Sequence, residues 1–310
     1  MEELRGKTGR IVNIQHYCYQ DGPGVRTTVF VKGCSLHCKW CGNPESISKN
    51  YDFSFDKKEC VGCKACGKCL LEKEEVFLKP EDENLPPSVN FLETKQLTPN
   101  LASICPVGAI SFYGKDVSAG EVIDEVDKDF SFYVKSGGGL TISGGEPLLQ
   151  VEFTKALLQL AHQHGYTTAI ESAFCVPWEN VSEILPYVDV VMHDIKHIDS
   201  QEHKKWTGVG NERILENIKK AYETFPEKKF IARTPLIPGV NDNVEIIEGI
   251  LEFILPFPNV IGYELMPYHR LGTGKYESLG KQYEMQNTPS VDEKIIRELK
   301  EVIEKRFKNR

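Results

Sequence analysis

The 310-residue chain has no long apolar run: segments such as Val188 to Met192 and Ile250 to Phe257 are its longest, against the roughly 20 residues a membrane helix needs. No apolar leader stands at the start, where the residues are polar and charged, so a cytoplasmic protein without a signal peptide or membrane partner is expected. It also lacks an excess of positive charge. With 37 Lys and Arg against 45 Asp and Glu, the net charge of -8 excludes a nucleic-acid surface, which wants clustered basic side chains. There is no solenoid-type repeat and no disordered composition, since 40% apolar and 26% charged residues are ordinary for a globular chain.

Cysteine, by contrast, is abundant. Eight of the ten cysteines fall in groups, Cys34, Cys38 and Cys41, then Cys60, Cys63, Cys66 and Cys69, then Cys105, while Cys18 and Cys175 stand alone. Disulfides suit secreted chains, and thiols two residues apart rarely meet disulfide geometry, so the grouping points to metal. For Cys18, Cys175 and His37 the spacing assigns no chemistry; packing or surface positions are expected.

Six β-like runs recur: Arg26 to Val31, Leu140 to Ser143, Thr167 to Glu171, Val188 to Asp194, Lys229 to Leu236 and Val260 to Met266. Between or after them lie amphipathic stretches with apolar residues three and four apart, Ser118 to Val134, Val151 to His164, Glu212 to Thr224, Val244 to Leu255 and Ser290 to Phe307. This alternation predicts an α/β fold with a parallel sheet, a partial (β/α)6 barrel of the triose-phosphate-isomerase type. Residues 50–117 break the rhythm and read as an inserted module, leaving 1–49 and 118–310 for the barrel.

The C-x3-C-x2-C spacing of Cys34, Cys38 and Cys41 supplies thiolates for three irons of a four-iron cluster and leaves one iron open to a small molecule. Structural zinc is the alternative, but zinc is normally closed by four ligands in pairs. Gly33-Cys34-Ser35-Leu36-His37-Cys38-Lys39-Trp40-Cys41 resembles the signature of the radical S-adenosylmethionine superfamily. Asp21-Gly22-Pro23-Gly24-Val25-Arg26, Trp40-Cys41-Gly42-Asn43-Pro44-Glu45, Ser143-Gly144-Gly145-Glu146-Pro147, His193-Asp194-Ile195-Lys196 and Pro267-Tyr268-His269, in that order, are similar to the glycyl radical enzyme activating enzymes.

The resemblance implies that S-adenosylmethionine binds the open iron and that an electron splits its carbon–sulfur bond. The 5′-deoxyadenosyl radical so made takes a hydrogen atom from a glycine Cα of a partner enzyme. It assigns Gly144, Gly145 and Glu146 to the methionine end of the cofactor and Trp40, Cys41 and Gly42 to the adenine. Asp194, Ile195, Lys196 and His269 complete the pocket, and Asp21 holds the partner's glycine loop. From the residues themselves, glycine permits close backbone approach and Glu146 offers a carboxylate to an ammonium. Where the pyruvate formate-lyase activating enzyme has Asp-Thr in a monovalent cation site, this chain has Glu171-Ser172, leaving oxygen ligands with Met192 and Asp194.

Within the insert, Cys60, Cys63 and Cys66 followed at a distance by Cys105-Pro106 resemble one half of a two-cluster bacterial ferredoxin. Leu70, Leu101, Thr98 and Lys95 stand at the ligand positions of the other half, so one auxiliary four-iron cluster is expected, as an electron relay or as a staple for the insert, with Cys69 unassigned. The expected partners are a glycyl radical enzyme of eliminase or decarboxylase type and a flavodoxin or ferredoxin as electron donor. The insert speaks against pyruvate formate-lyase, whose activating enzyme lacks it. Two other readings compete: a radical S-adenosylmethionine enzyme acting on a small molecule, and a plain iron–sulfur electron carrier.

Overall fold

The structure is a computed structural model that describes residues 2–61, 76–78 and 86–310. Its strands are β1 Thr8–Cys18, β2 Arg26–Val31, β3 Asp52–Phe55, β4 Phe77–Leu78, β5 Ser88–Val89, β6 Ile110–Tyr113 and β7 Lys115–Ser118. After these come β8 Gly139–Gly144, β9 Thr167–Ser172, β10 Val190–Asp194, β11 Lys229–Leu236 and β12 Val260–Pro267. One eight-stranded sheet runs in the order β12-β11-β10-β9-β8-β2-β1-β7. The strands from β2 to β12 in that order pair parallel, and they are the six runs read from the sequence.

Two strands of this sheet were not anticipated. β1 pairs antiparallel with β2, and β7 pairs antiparallel with β1. Thus Lys115–Ser118, which overlaps the end of the expected insert, joins the large sheet. Helices pack on one sheet face because each presents an apolar stripe. In Val151–Gln163 the stripe is Phe153, Ala156, Leu157, Leu160 and Ala161, all buried, and each large aliphatic side chain removed from water contributes about 1.5–3 kcal/mol. The expected helix from Ser118 is broken into Ala119–Val126, a 3-10 turn at Asp127–Asp129, and Phe130–Ser136. Ser118 is its N-cap, closing a capping box with Glu121.

Strand alternation gives the sheet two characters. Val29, Val31, Leu140, Ile142, Ile170 and Val191 point into the helix-covered core. The opposite face carries Thr28, Thr141, Ser143, Glu171, Met192, Asp194, Arg233 and Glu264, brought abreast by the parallel registers. A second, small core forms where β3 pairs with β6, from Phe53, Phe55, Val76, Phe77, Leu97, Ala109 and Ile110.

Candidate active site

The cysteine loop leaves β2 at Gly33, whose φ of 105 is a left-handed value suited to glycine. Its base is pinned where the Gly33 amide donates to Ser46 at 2.7 Å and the Cys34 amide to Ile47 at 2.9 Å. Its far side leans on helix Ser200–Thr207, with the His37 amide donating to Thr207 and that of Lys39 to Trp206. Trp40 is buried with its ring 6.3 Å from that of Trp206. Cys34, Cys38 and Cys41 are free thiols that feel one another's charge. Burial pushes the Cys34 and Cys38 thiols up to about 12 and raises that of Cys41. Such a site disfavours bare thiolates and calls for a positive partner, the condition a metal cluster meets. Among the described residues, no three His, Cys, Asp or Glu side chains stand at the spacing of a single metal ion.

Ser143-Gly144-Gly145-Glu146 ends β8 directly against this loop. The Gly145 amide donates to the Val31 carbonyl at 2.9 Å and the Glu146 amide to the Gly33 carbonyl at 2.7 Å. A Cβ on Gly145 would run into the Gly33 carbonyl, so the close approach made by this glycine is to the cysteine loop itself. Glu146 is 0% exposed, and its carboxylate accepts from Ser172 Oγ at 2.7 Å, the Ala173 amide at 2.9 Å and the Leu148 amide at 3.2 Å. Burial raises it to about 7 in spite of these donors. The expected carboxylate for a ligand's ammonium is therefore turned into the fold, and the segment's backbone lies beside the cysteines.

From β10, Asp194 and Lys196 pair at 2.5 Å. Burial opposes the charge of Lys196, but Asp194 and the Cys38 and Cys34 sulfurs outweigh it and raise its pKa. The ammonium thus faces the cysteine loop. Ile195 is buried, its amide donating to the Arg233 carbonyl. His193 points the other way, into the core, where Tyr222 Oη lies 2.6 Å from its Nε2 and its Nδ1 has no partner among the described residues.

The sequence reading passed over Arg233. Its guanidinium, almost wholly buried, pairs with Glu171, donates to Glu264 at 2.8 Å and reaches the Gln20 carbonyl at 2.6 Å. Ser143 donates to the same Glu171 carboxylate at 2.5 Å. The oxygens expected around a cation are thus already engaged: Glu171 with Arg233, and Ser172 with Glu146.

A second unanticipated element is the helix Thr273–Ser278, which clasps the cysteine loop. Tyr276 Oη donates to the Cys41 carbonyl at 3.0 Å, and Lys275 Nζ reaches Asn43 Oδ1 at 2.9 Å and Glu45 Oε1 at 2.5 Å. His269 is exposed and its ring approaches Gly42. Nothing local could have foretold this, because the partners are at least 230 residues apart.

Asp21 stands in the turn between β1 and β2, beside the Cys18 thiol. Its carboxylate accepts from Thr28 at 2.7 Å and its carbonyl from Thr141 at 2.7 Å, laying the turn across the polar sheet face. The neighbouring turn residues Tyr19, Gln20, Gly22 and Pro23 line a cavity of about 660 Å³ whose other walls are Arg233, β12 from Tyr263 to Pro267, and the helix Glu293–Lys308.

Of the insert cysteines, Cys60 and Cys105 flank the small core, and Cys63, Cys66 and Cys69 lie outside the described residues. Burial tends to raise the Cys105 thiol, but the amides of Ile110, Val107, Ala109 and Gly108 turn toward it and bring it below its ordinary value. A sulfur ringed by N–H groups suits an iron–sulfur ligand. Cys18 is buried, Cys175 half-buried and His37 exposed.

A family described as a 4Fe-4S single cluster domain matches residues 20–215. The isethionate sulfite-lyase activating enzyme of Desulfovibrio desulfuricans is 43% identical, over 89% of this chain and 88% of that protein. The chain belongs to the glycyl radical enzyme activating enzymes. The (2S)-3-sulfopropanediol dehydratase activating enzyme of Klebsiella oxytoca is 40% identical over 90% of this chain and 88% of that protein. A radical S-adenosylmethionine methyltransferase from Sphaerobacter thermophilus has the same fold at 15% identity, with a TM-score of 0.51 over 94% of this chain and 66% of that one. This activating enzyme is accordingly a radical S-adenosylmethionine oxidoreductase whose substrate is another enzyme. Among the described residues, no helix is long and apolar enough to cross a membrane.

Proposed function

We propose that the enzyme activates a glycyl radical eliminase acting on a small hydroxyalkanesulfonate, and that the cavity beside Asp21 receives that partner's glycine loop. The observation that carries the second part is continuity. Arg233, which lines the cavity with Gln20, Gly22 and Pro23, pairs with Glu171 on the sheet face that also carries Asp194, the partner of the Lys196 ammonium beside the cysteines. A glycine entering past Asp21 and a cofactor over the cysteine loop would thus share one space.

The names of the two relatives, both concerned with hydroxysulfonates, support the partner class. Cys34, Cys38 and Cys41 would hold a four-iron cluster, which would supply the electron for cleaving the carbon–sulfur bond of S-adenosylmethionine, with one iron left without a cysteine ligand. The protein's part is positioning. Lys196, held by Asp194, would offer positive charge to the cofactor's carboxylate, Trp40, Cys41 and Gly42 would border the adenine, and Ile195 and His269 would complete the pocket. Gly144 and Gly145 keep the β8 end against the cysteine loop, and Glu146 fixes that corner from inside. For a monovalent cation the residues fit poorly, because Glu171 and Ser172 are already paired.

The architecture we infer is a partial (β/α)6 barrel carrying a ferredoxin-like module at 50–117. Cys60, Cys63, Cys66 and Cys105 would hold an auxiliary cluster there, and the N–H ring at Cys105 favours this use. That cluster is read as a relay from a cytoplasmic flavodoxin or ferredoxin.

The partner class is tested by mixing reconstituted enzyme with isethionate sulfite-lyase, (2S)-3-sulfopropanediol dehydratase and choline trimethylamine-lyase, and reading the glycyl radical by electron paramagnetic resonance. Higher radical yield on the two sulfonate enzymes is expected. Preference for the choline enzyme would overturn the assignment.

A further inference from the structure

The end of β1 is bent out of regular pairing just before the Asp21 turn. Register with β2 is lost between Gln15 and Cys18, and Tyr17 adopts a φ of 58, a left-handed value that a bulky aromatic residue rarely takes. The effect is to turn the Tyr17 ring outward. It meets Phe132 edge-on with ring centroids 5.1 Å apart, yet 48% of Tyr17 and 44% of Phe132 remain exposed. An aromatic pair left half in water on a strained backbone serves nothing in this chain's own core; strain of this kind persists where function uses it.

The bent segment is braced. His16 Nδ1 lies 2.6 Å from the buried carboxylate of Asp129, which also accepts from Thr27 Oγ1 at 2.5 Å. The helix bearing Phe132 is fixed to the turn by the Val25 amide, which donates to Ser136 Oγ at 2.9 Å. These bonds brace the segment and the helix that carry the pair. Tyr19, two residues on and 74% exposed, itself lines that cavity.

We propose that Tyr17 and Phe132 form a docking surface for the body of the glycyl radical enzyme, gripping an apolar shoulder next to the glycine loop while the loop enters past Asp21. This rests on the reading of the cavity as the loop's entrance, and continuity is its ground: one short segment, Tyr17 to Tyr19, forms the aromatic pair at one end and the cavity wall at the other. Rigid aromatic side chains are the usual anchors of protein interfaces.

The test uses the anaerobically reconstituted Tyr17→Asn/Phe132→Gln double variant; asparagine tolerates the left-handed backbone. The partner class that responds best to the unaltered enzyme serves as substrate, both whole and as a short synthetic peptide around its radical glycine. We expect the KM for the whole partner to rise about tenfold or more, the loss of one strong interface anchor. Turnover at saturation, 5′-deoxyadenosine formation without partner and hydrogen abstraction from the peptide should stay unchanged. An unchanged KM for the whole partner would overturn the proposal, as would equal losses on peptide and partner. So would a concentration-dependent dimer of the unaltered chain that the variant abolishes while partner activation persists, since a second copy would then own the surface. Failure of the activase reading looks different: the unaltered enzyme would form 5′-deoxyadenosine yet leave every partner without a radical.

Discussion

Gly145 packs so tightly on Gly33 that no side chain fits between them: a Cβ on Gly145 would overlap the Gly33 carbonyl, which already accepts from the Glu146 amide at 2.7 Å. The end of β8 therefore sets the position of the first cysteine. Gly145→Ala should push the loop away and cost about 2–3 kcal/mol or more, the range of severe backbone and packing conflicts. Iron retained at the cysteine loop, measured after anaerobic reconstitution, should fall together with 5′-deoxyadenosine formation. Full iron content with normal cleavage would show that this contact does not govern the loop.

The clasp from the C-terminal side gives a second expectation. Glu45 is 4% exposed, its Oε1 bonded to Lys275 and its Oε2 without a partner among the described residues. Lys275→Ala strands that carboxylate, at a cost of about 1–3 kcal/mol once the partial exposure of the lysine is allowed for. Adding Glu45→Gln should recover much of the loss. Denaturant unfolding of the single and double variants measures the coupling, and strict additivity would mean that the pair contributes nothing.

His193 makes stability depend on pH. Burial lowers its pKa from 6.5 to about 3, so below pH 6.5 the unfolded chain takes up a proton that the folded chain refuses. Stability is then lost as pH falls from 6.5 toward 3, with a slope approaching about 1.4 kcal/mol per pH unit. His193→Gln, which can still bond Tyr222, should flatten this slope between about pH 5 and 7. Parallel curves for the two proteins in urea would remove His193 as the cause.

Much of this was legible in the sequence, for physical reasons. The six parallel strands are short runs bounded by helices with a clear apolar stripe, and all six occur. β1 was missed because its residues alternate only weakly between half-buried and exposed, with a bulge near its end. The helix Thr273–Ser278 was missed because TGKYES has one buried residue and no periodicity. At the site, close cysteine spacing is a local signal, and the loop it marks follows β2. Arg233, Lys275 and Tyr276 gain meaning only from partners far away in the chain. The glycines of Ser143-Gly144-Gly145-Glu146 do mark a close approach, but sequence could not say that the Gly145 approach was to Gly33.

A substitution at Asp21 tests whether partner contact is separate from cofactor binding. The Asp21 carboxylate bonds Thr28 from within the turn, so Asp21→Ala forfeits about 1 kcal/mol of local support, which Asp21→Asn should largely keep. Alanine should leave 5′-deoxyadenosine formation without partner intact and lower the glycyl radical yield. Equal loss of both signals would place Asp21 in the fold or the cofactor site.

The central claim is that the cysteine loop makes a radical for a glycine of another enzyme. Its most direct test follows deuterium from a partner labelled at glycine Cα into 5′-deoxyadenosine, read by mass spectrometry beside the glycyl radical signal. The account predicts deuterium in the product and a radical on the partner, both absent when Cys34, Cys38 and Cys41 are replaced by alanine. Product that forms in full without deuterium, with no radical on any partner, would contradict it and point to a small-molecule substrate.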